Sequence, residues 1–490
     1  MPAVTMTEVT PQLLFQVVSA AASSDQQQVS NGTQQLQSWE KTGGYYSSLQ
    51  TIFIDTSLPV EVRYMCAIQL KNGIDKYWRK TATNAISKEE KTLIRSRCLE
   101  SGINEPDRRL ALQNALVIAK VLRFEFPHDW PDAITSVVNL MRSAAQPDAN
   151  ALHIPRVLLV LLHIIKELAT GRLQRTRASL QSASPEIFHV LGRIYVDKVE
   201  RWRSFLRNGG DDEDGALEDV EQSLLAMGVL RRLLIAGYEF PNRHKEVQEF
   251  WTLLWTQFED LLSLVEQGPA TINPYVQTLI EKHLVQMSKL HLEMVRIHPA
   301  AYALLPDSSG LTFAYWGLIT KFGETFGSQS ATVPSKIGSN GDADEADKPF
   351  MEKLTLKGLL LLRACAKMVF SPAQTFKYQH AEDKEERKRS TELIKTELLT
   401  DDRAREMMEI LVTRFFVFRP SDLRDWEEEP EDWERREEGE GDAWEFSVRS
   451  CAEKLFLDIM INYKALLIQP LLNVFYSVAS KARDLPSIWQ

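Results

Sequence analysis

The sequence predicts an all-α protein built from a long array of antiparallel helix pairs. Apolar residues recur at three- and four-residue spacing in one segment after another, which is the pattern of a helix with one buried face. Short clusters of Pro, Gly or Asn separate these segments, so that successive helices of roughly 12 to 25 residues are joined by short turns. No stretch shows the sustained alternation with Asn-Gly or Asp-Gly turns that is typical of strands.

The first clear helix runs from Val60 to Ile74, where Tyr64, Ala67 and Leu70 continue the apolar spacing. The same pattern recurs along the rest of the chain. Further helical segments are predicted at about Pro106–Phe124, Trp130–Met141, Ile154–Leu173, Pro185–Leu206, Leu217–Ile235, Val247–Val265, Pro274–Ile297, Leu354–Phe370, Arg403–Phe418 and Val448–Tyr463. Along the chain as a whole we predict about seventeen helices, and hence eight to nine hairpins.

Helix pairs that repeat every ~40 to 47 residues are typical of HEAT or armadillo repeats, in which each pair buries its apolar face only against its neighbours. The predicted fold is therefore a superhelical solenoid of HEAT repeats. Two polar stretches interrupt it and are predicted to be mobile insertions between helices. They are Gly323–Asp347, which is rich in Gly, Ser and Asp, and Asp383–Arg389, which reads DKEERKR.

The net charge is concentrated in one acidic window, residues 422–442. The 490 residues carry 57 Lys and Arg against 67 Asp and Glu, a formal charge of −10. The acidic window holds twelve acidic and three basic side chains, so it alone carries −9 and the rest of the chain is almost neutral. Because the neutral remainder offers no basic patch, the composition argues against nucleic acid as the main partner.

Membrane and secreted proteins are also disfavoured. The longest apolar run, Val157–Ile165, is far shorter than the roughly 18 residues of a membrane span. The N-terminus lacks the basic start of a secretory signal. The four cysteines lie far apart, as expected of reduced thiols. We therefore expect a soluble protein of the cytosol or nucleus.

The sequence holds no catalytic or cofactor motif of the phosphate-loop, dinucleotide-binding, zinc-protease or serine-hydrolase kinds. His153 with His163, and His283 with His291, could each share a helix face. No Cys or carboxylate completes a ligand set at matching spacing, so surface or core histidines are the favoured interpretation. The clustered carboxylates lie in a polar window without an apolar pocket to shift their pKa values. We expect neither an enzyme nor a metal or cofactor site.

Three segments carry more information, and the first is VRYMCAIQLKNGIDKYW, residues 62–78. Lys71 and Asn72 fall between the apolar Leu70 and Ile74. Adjacent helical positions differ by about 100°, so these two side chains should point away from the packed face. A solvated lysine and an amide that caps its own helix are the plain structural alternative to a binding role.

The second segment is the turn FPHDWP, residues 126–131, whose structural residues are Pro127, Trp130 and Pro131. Pro131 suits the first turn of the next helix, and Asp129 suits its cap. We expect this turn to fix the angle between successive repeats. The third segment is the acidic window itself with its tryptophans, for which a solvated loop is the alternative to a surface that binds a basic partner.

These three segments together resemble the importin-beta (karyopherin) family of nuclear transport receptors. Arg63 and the run Leu70-Lys71-Asn72-x-Ile74 match the family pattern R-x-x-A-x-x-x-L-K-N-x-I, with Ala67 one place later than the usual alanine, and the F-P-x-x-W-P turn is complete. The stretches GIDKYWRK (73–80), WEEEPE (426–431) and GDAW (441–444) resemble the importin eleven subfamily. Family members are roughly twice this length, so the chain resembles an N-terminal half.

The resemblance implies a domain organisation. It consists of an N-terminal domain over residues 1–80, HEAT repeats over 81–322, a flexible insertion over 323–347, HEAT repeats over 348–421, an acidic loop over 422–442, and repeats over 443–490 that would continue into a missing C-terminal half.

The resemblance also implies a receptor that binds the GTPase Ran in its GTP form, protein cargo and the FG-repeat proteins of the nuclear pore. Such a receptor shuttles between cytoplasm and nucleus, here as an importin whose cargo is released by Ran-GTP. In the family the Lys-Asn of the L-K-N motif contacts Ran, which assigns that role to Lys71 and Asn72, and to Lys76 by proximity. No cofactor, nucleic acid or membrane is implied.

In the family an acidic loop of about the eighth repeat meets a basic patch on Ran. The helix count places the acidic window at this position, between the two helices of the eighth hairpin. The resemblance therefore assigns Ran binding to Asp425, Glu427, Glu428, Glu429, Glu431 and Asp432.

Two other functions stay open for a helical-repeat protein. One is a static scaffold, such as the adaptor subunit of a phosphatase, which generic HEAT patterning would allow. The other, a helical hydrolase, is a distant third because no nucleophile and base occur together in a recognisable pattern. The L-K-N and F-P-x-x-W-P segments together argue against the scaffold.

Overall fold

The computed structural model describes residues 9–170, 174–208, 212–266, 273–328, 348–376, 381–431, 434 and 443–483. Over these ranges the chain is helical and contains no β-strand. It divides into two compact units, residues 1–239 and 240–490. The predicted all-α fold of HEAT-type helix pairs is confirmed.

Within its described residues, the first unit contains ten helices that pack as five consecutive pairs. From the second pair to the fourth, the second helix of each pair contacts the second helix of the next pair, so α4, α6, α8 and α10 form one continuous row, which we call the inner row. The helices are α1 (Pro11–Ala21), α2 (Gln26–Trp39), α3 (Tyr45–Ile54), α4 (Val60–Tyr77), α5 (Lys88–Asn104), α6 (Arg108–Glu125), α7 (Ala133–Ala144), α8 (His153–Ala169), α9 (Gln174–Asn208) and α10 (Glu213–Ala236).

Several helices of the first unit begin at a side chain that accepts hydrogen bonds from the first turn. Asp107 Oδ1 accepts from the backbone N–H of Arg109 and Leu110 at 2.8 and 3.0 Å. Ser87 caps α5 in the same way through the N–H of Glu90 at 3.1 Å. Caps of this kind satisfy backbone donors that have no partner inside the helix, and they explain why the helices begin here.

Gly73, inside the L-K-N-G-I run, allows α4 to approach the ring of Tyr46 on α3. A Cβ atom at position 73 would lie 1.9 Å from Cε1 of that ring. The Tyr46 ring is 3% exposed and packs edge-on against Tyr45 at 5.0 Å. The glycine is therefore required by close packing between the two helices.

We expect Gly73→Ala to lower the free energy of unfolding by about 1–2 kcal/mol, because the overpacking cost exceeds the gain in helix propensity. Gly228 in α10 is the matched control, since nothing lies within 4 Å of a Cβ atom built there. Gly228→Ala should raise stability by about 0.5–1 kcal/mol. Thermal unfolding of both variants checks the opposite signs, and equal shifts would contradict the packing argument.

The second unit contains α11 (Lys245–Glu266), α12 (Pro274–Ile297), α13 (Pro299–Leu304), α14 (Ser308–Phe326), α15 (Phe350–Phe370), α16 (Pro372–Thr375), α17 (Ala381–Glu397), α18 (Asp401–Ile410), α19 (Pro420–Glu428), α20 (Val448–Asn462) and α21 (Lys464–Arg483). A single π-helical turn, Leu411–Phe415, extends α18. Helices α12, α15 and α20 contact one another in this order and form the central row of the unit. They pair with α11, α14 and α18 respectively. The pair α18/α20 is the eighth pair of the described chain.

The first predicted insertion begins later in the chain than the sequence suggested. Gly323 lies in α14, where the buried Phe322 and Phe326 continue the apolar face and Phe326 packs 5.3 Å from the ring of Phe415. That face keeps the helix intact to Phe326, four residues into the predicted insertion. Residues 329–347 lie outside the described part of the chain.

The prediction of a mobile insertion at Asp383–Arg389 is wrong, because the whole stretch lies in α17. Its charges have partners within the unit: Glu386 binds Arg243 at 2.9 Å, and the Arg387 guanidinium lies 4.9 Å from the centre of the Phe376 ring. Ser390 and Ile394 are buried on the face that packs against α13 and α15. The charge run is the solvated face of an amphipathic helix rather than a loop.

The turn FPHDWP lies between α6 and α7, and Trp130 is buried as its aromatic anchor. The sequence suggested that Asp129 caps the next helix. It does not, because α7 begins only at Ala133. Its carboxylate instead lies 3.2 Å from Lys80, and its carbonyl accepts from Arg95 at 2.8 Å.

None of the helices in the described ranges is long and apolar enough to cross a bilayer.

Candidate functional site

Lys71 lies on α4 at the contact with α6 and is half-buried rather than fully solvated. Its Nζ donates to Oε1 of Gln113 at 3.0 Å. Burial lowers the pKa of Lys71, the neighbouring charge of Lys120 lowers it further, and Asp75 opposes both. The hydrogen bond to Gln113 therefore positions the Lys71 amine against the neighbouring helix.

Asn72 and Lys76 lie one turn apart on the adjacent stripe of α4, and both are exposed. Lys76 Nζ lies 2.9 Å from Oε1 of Glu40, the residue that follows α2. The hydrogen bond that Lys76 donates to this carboxylate raises the pKa of Lys76. The structure thus places the three predicted residues on neighbouring stripes of one helix, with Lys71 toward α6 and Lys76 toward the end of α2.

Polar bridges link the inner row at intervals close to the repeat length. They join α4 to α6 and α6 to α8 at sequence separations of 42, 45 and 44 residues. The partners are Lys71 with Gln113, Asp75 with Lys120, and Arg123 with Glu167. Gln113 and Lys120 were not identified from the sequence; their seven-residue spacing places them on one face of α6, which is the signal that could have found them.

Arg63, the arginine of the R-x-x-A pattern, forms a buried ion pair with Glu105 rather than a binding surface. The two side chains are 2% and 3% exposed. Arg63 Nε also donates to the carbonyl of Phe53 at 2.9 Å, and Glu105 Oε1 accepts from the N–H of Asp107 at 3.0 Å. The pair ties α4 to the end of α5, so this part of the motif maintains the fold.

The acidic window begins as a helix, α19, and not as a loop. Asp422 in its first turn is buried and accepts from the backbone N–H of Arg419 at 2.8 Å. Burial opposes ionisation of Asp422, but hydrogen bonds from Arg419 and Arg449 outweigh it and lower the pKa of this carboxyl. This carboxylate therefore holds the start of the acidic window to α20 and is not available to a partner.

The carboxylates that follow are exposed, in contrast to Asp422. Glu427, Glu428, Glu429 and Glu431 all face solvent. Asp425 lies in α19, but its side chain, like the whole of Asp432, falls outside the described residues. Leu423 and Trp426, on the same helix, are 46% and 52% exposed. We call Leu423–Glu431 the acidic segment; it presents charge and apolar surface together, between the helices of the eighth pair.

Comparisons with known proteins agree with the helical fold. Residues 32–103, from α2 into α5, match the importin-beta N-terminal domain. The importin beta-like protein KAP120 of Saccharomyces cerevisiae is 32% identical over 449 residues, which is 91% of this chain and 41% of that protein. Importin-11 of Homo sapiens is 29% identical over 95% of this chain and 44% of its own length. The chain therefore spans about two fifths of the length of these relatives.

A solved structure of Lph2, described as a bidirectional nuclear transport receptor of S. cerevisiae, superposes with a TM-score of 0.74 at 30% identity, over 90% of this chain and 40% of Lph2. The exportin Cse1 in its cargo-free state shares the fold with a TM-score of 0.63, at 14% identity, over 97% of this chain and 45% of its own. The domain match and these similarities confirm the resemblance of the chain to the importin-beta (karyopherin) family, whose N-terminal domain matches residues 32–103.

Proposed function

We propose that this chain is the Ran-sensing part of a nuclear transport receptor. It binds Ran-GTP through Lys71, Asn72 and Lys76 on α4 and through the exposed carboxylates of the acidic segment. It carries protein cargo past the FG-repeat proteins of the nuclear pore, between cytoplasm and nucleus, as an importin. The observation that carries the proposal is the combination, in one chain, of an importin-beta N-terminal domain and an exposed acidic segment in the eighth helix pair.

The geometry supports two separate contacts with a GTPase. On α4 the partner would contact the ammonium groups of Lys71 and Lys76 and the amide of Asn72, which lie on adjacent stripes of the helix. These groups are suited to bind carboxylates and backbone carbonyls of the partner. At the acidic segment it would meet a concentrated negative field, which steers a basic patch toward the site. A static scaffold has no requirement for either feature.

The first test compares binding of Ran loaded with GTP and with GDP. We expect the chain to bind the GTP form and not the GDP form, as measured by titration calorimetry at physiological salt. Equal binding of both forms, or binding of neither, would favour the scaffold and would overturn the proposal.

We expect Lys71→Asp to weaken Ran-GTP binding roughly 10-fold, since a contact between opposite charges becomes a repulsion. The melting temperature should move by no more than about 2 °C, because position 71 is only half-buried and the hydrogen-bond partner that it loses, Gln113, is uncharged. Lys91 on α5 is the matched control: it is also half-buried, and burial likewise lowers its pKa. Lys91→Asp should leave Ran binding unchanged, and equal losses for both variants would show a general charge effect.

Carriage in both directions is a second candidate, favoured by the 30% identity with a receptor described as bidirectional. The two candidates differ in how Ran-GTP acts on cargo. Proteins captured from a cell lysate by the chain should be released by added Ran-GTP if it imports them, and retained more strongly if it exports them. Mass spectrometry of the two bound fractions separates the candidates.

A further inference from the structure

The segment Trp444–Phe446 lies against the central row of the second unit, just before α20. The guanidinium carbon of Arg363 on α15 lies 4.3 Å from the centre of the Trp444 ring. Arg296 at the end of α12 binds the Glu445 carboxylate at 3.0 Å. Lys348 donates to the carbonyl of Phe446. An aromatic, acidic, aromatic sequence is therefore held by cations from two helices and from the residues that precede α15.

The surface beneath this segment is rich in positive charge. The pKa of Lys367 is lowered by burial and then by its neighbour Arg363, while Asp458 and Glu445 oppose these effects. Asp458 accepts from Arg363 at 2.8 Å, and Glu352 lies 3.7 Å from Lys348. Glu445 therefore supplies part of the negative charge that this cationic surface requires. A partner segment that displaced Glu445 would need to supply a negative charge in its place.

The segment does not fill the groove in which it lies. A cavity of about 60 Å³ remains between Phe446 and the apolar side chains of Leu292, Leu356 and Leu360. The Phe446 side chain is 39% exposed, so the ring covers the groove without entering it fully. Apolar walls with cations around them are suited to an aromatic ring that carries a neighbouring carboxylate.

We propose that this groove is a docking site for a partner segment of aromatic–acidic–aromatic chemistry, which the chain's own Trp444–Phe446 occupies when no partner is bound. The cation–π contact, the Arg296 ion pair and the unfilled apolar space are the features that a partner segment would use. An intramolecular occupant has an effective concentration on the order of millimolar, so it suppresses weak competitors and yields to a segment that fills the cavity better. The proposal does not depend on Ran binding.

The test uses the full chain and a fluorescein-labelled, acetylated peptide with the sequence of residues 443–447, Ala-Trp-Glu-Phe-Ser. Fluorescence anisotropy measures its binding to the wild type and to the Trp444→Ala, Glu445→Ala, Phe446→Ala triple variant. We expect at least a 10-fold higher affinity for the triple variant, because its groove is open. Adding Arg296→Ala and Arg363→Ala to the triple variant should abolish the binding.

Equal affinity for wild type and triple variant, or no binding to a triple variant with an unchanged melting temperature, overturns the proposal. Binding that survives Arg296→Ala with Arg363→Ala overturns it as well, because the peptide would then lie elsewhere. If the triple variant unfolds, Glu445→Lys alone serves in its place, since repulsion from Arg296 should displace the segment and raise peptide affinity. The assay contains no Ran, so its outcome is independent of the proposed function.

Discussion

Reversal of Glu427, Glu428, Glu429 and Glu431 to lysine is expected to slow association of the chain with Ran-GTP by about 10-fold or more at low salt. These four carboxylates are exposed and adjacent, so their fields add, although each single exposed ion pair contributes only ~0 to 1 kcal/mol. Ionic strength screens such a field over ~10 Å at 0.1 M. The association rate of the wild type should therefore fall as salt increases, and that of the variant should depend on salt much less.

The matched control reverses four exposed carboxylates that are far apart in the chain: Glu100, Asp214, Glu259 and Glu392. It changes the net charge by the same amount but removes no local field. Stopped-flow measurements compare the three proteins between 50 and 300 mM salt, a range over which the Debye length falls from ~13 to ~6 Å. If the association rate falls equally in both variants, net charge alone is responsible. If it falls in neither, the acidic segment does not contact Ran.

The helical architecture could be predicted because each repeat buries its own apolar face, which imposes a 3.6-residue period on the local sequence. Helix α17 shows where that signal fails. The charge run predicts a loop, but the helix is buried through a few side chains such as Ile394 and through ion pairs with Arg243, more than 130 residues earlier in the chain. Contacts between distant segments leave no local period in the sequence.

The candidate site was only partly visible in the sequence for the same reason. Lys71 was identified by its place in a motif, whereas its partner Gln113 lies in the next repeat, 42 residues away. The expectation that Lys71 simply points outward was incomplete, because half-burial against α6 positions it. Asp422 belongs to the acidic window by composition, but it is buried and forms ion pairs with Arg419 and Arg449, so it adds little to the exposed charge. Composition predicts a field, while packing decides which charges contribute to it.

The largest effect on stability is expected at the buried ion pair of Arg63 with Glu105. Arg63→Leu should lower the free energy of unfolding by about 3 kcal/mol, because the buried Glu105 carboxylate loses its ion-pair partner and keeps only the weaker attraction of the nearby Arg156 charge. Of the hydrogen bonds that the Glu105 carboxylate accepts in the described part of the chain, only the one from the N–H of Asp107 would remain. The backbone carbonyl of Glu105, which accepts from Arg156 at 2.6 Å, would be unaffected. Thermal and urea unfolding of the chain measure the loss.

The double variant Arg63→Leu, Glu105→Leu separates the cost of a stranded charge from the worth of the ion pair itself. We expect it to recover most of the lost stability, because two apolar side chains can replace a buried ion pair at little net cost. Lys76→Ala, which removes an exposed ion pair with Glu40, should cost no more than ~1 kcal/mol. If the single and double variants lost equal stability, the arginine would act through its bond to the Phe53 carbonyl, and the ion pair would not hold α4 to α5.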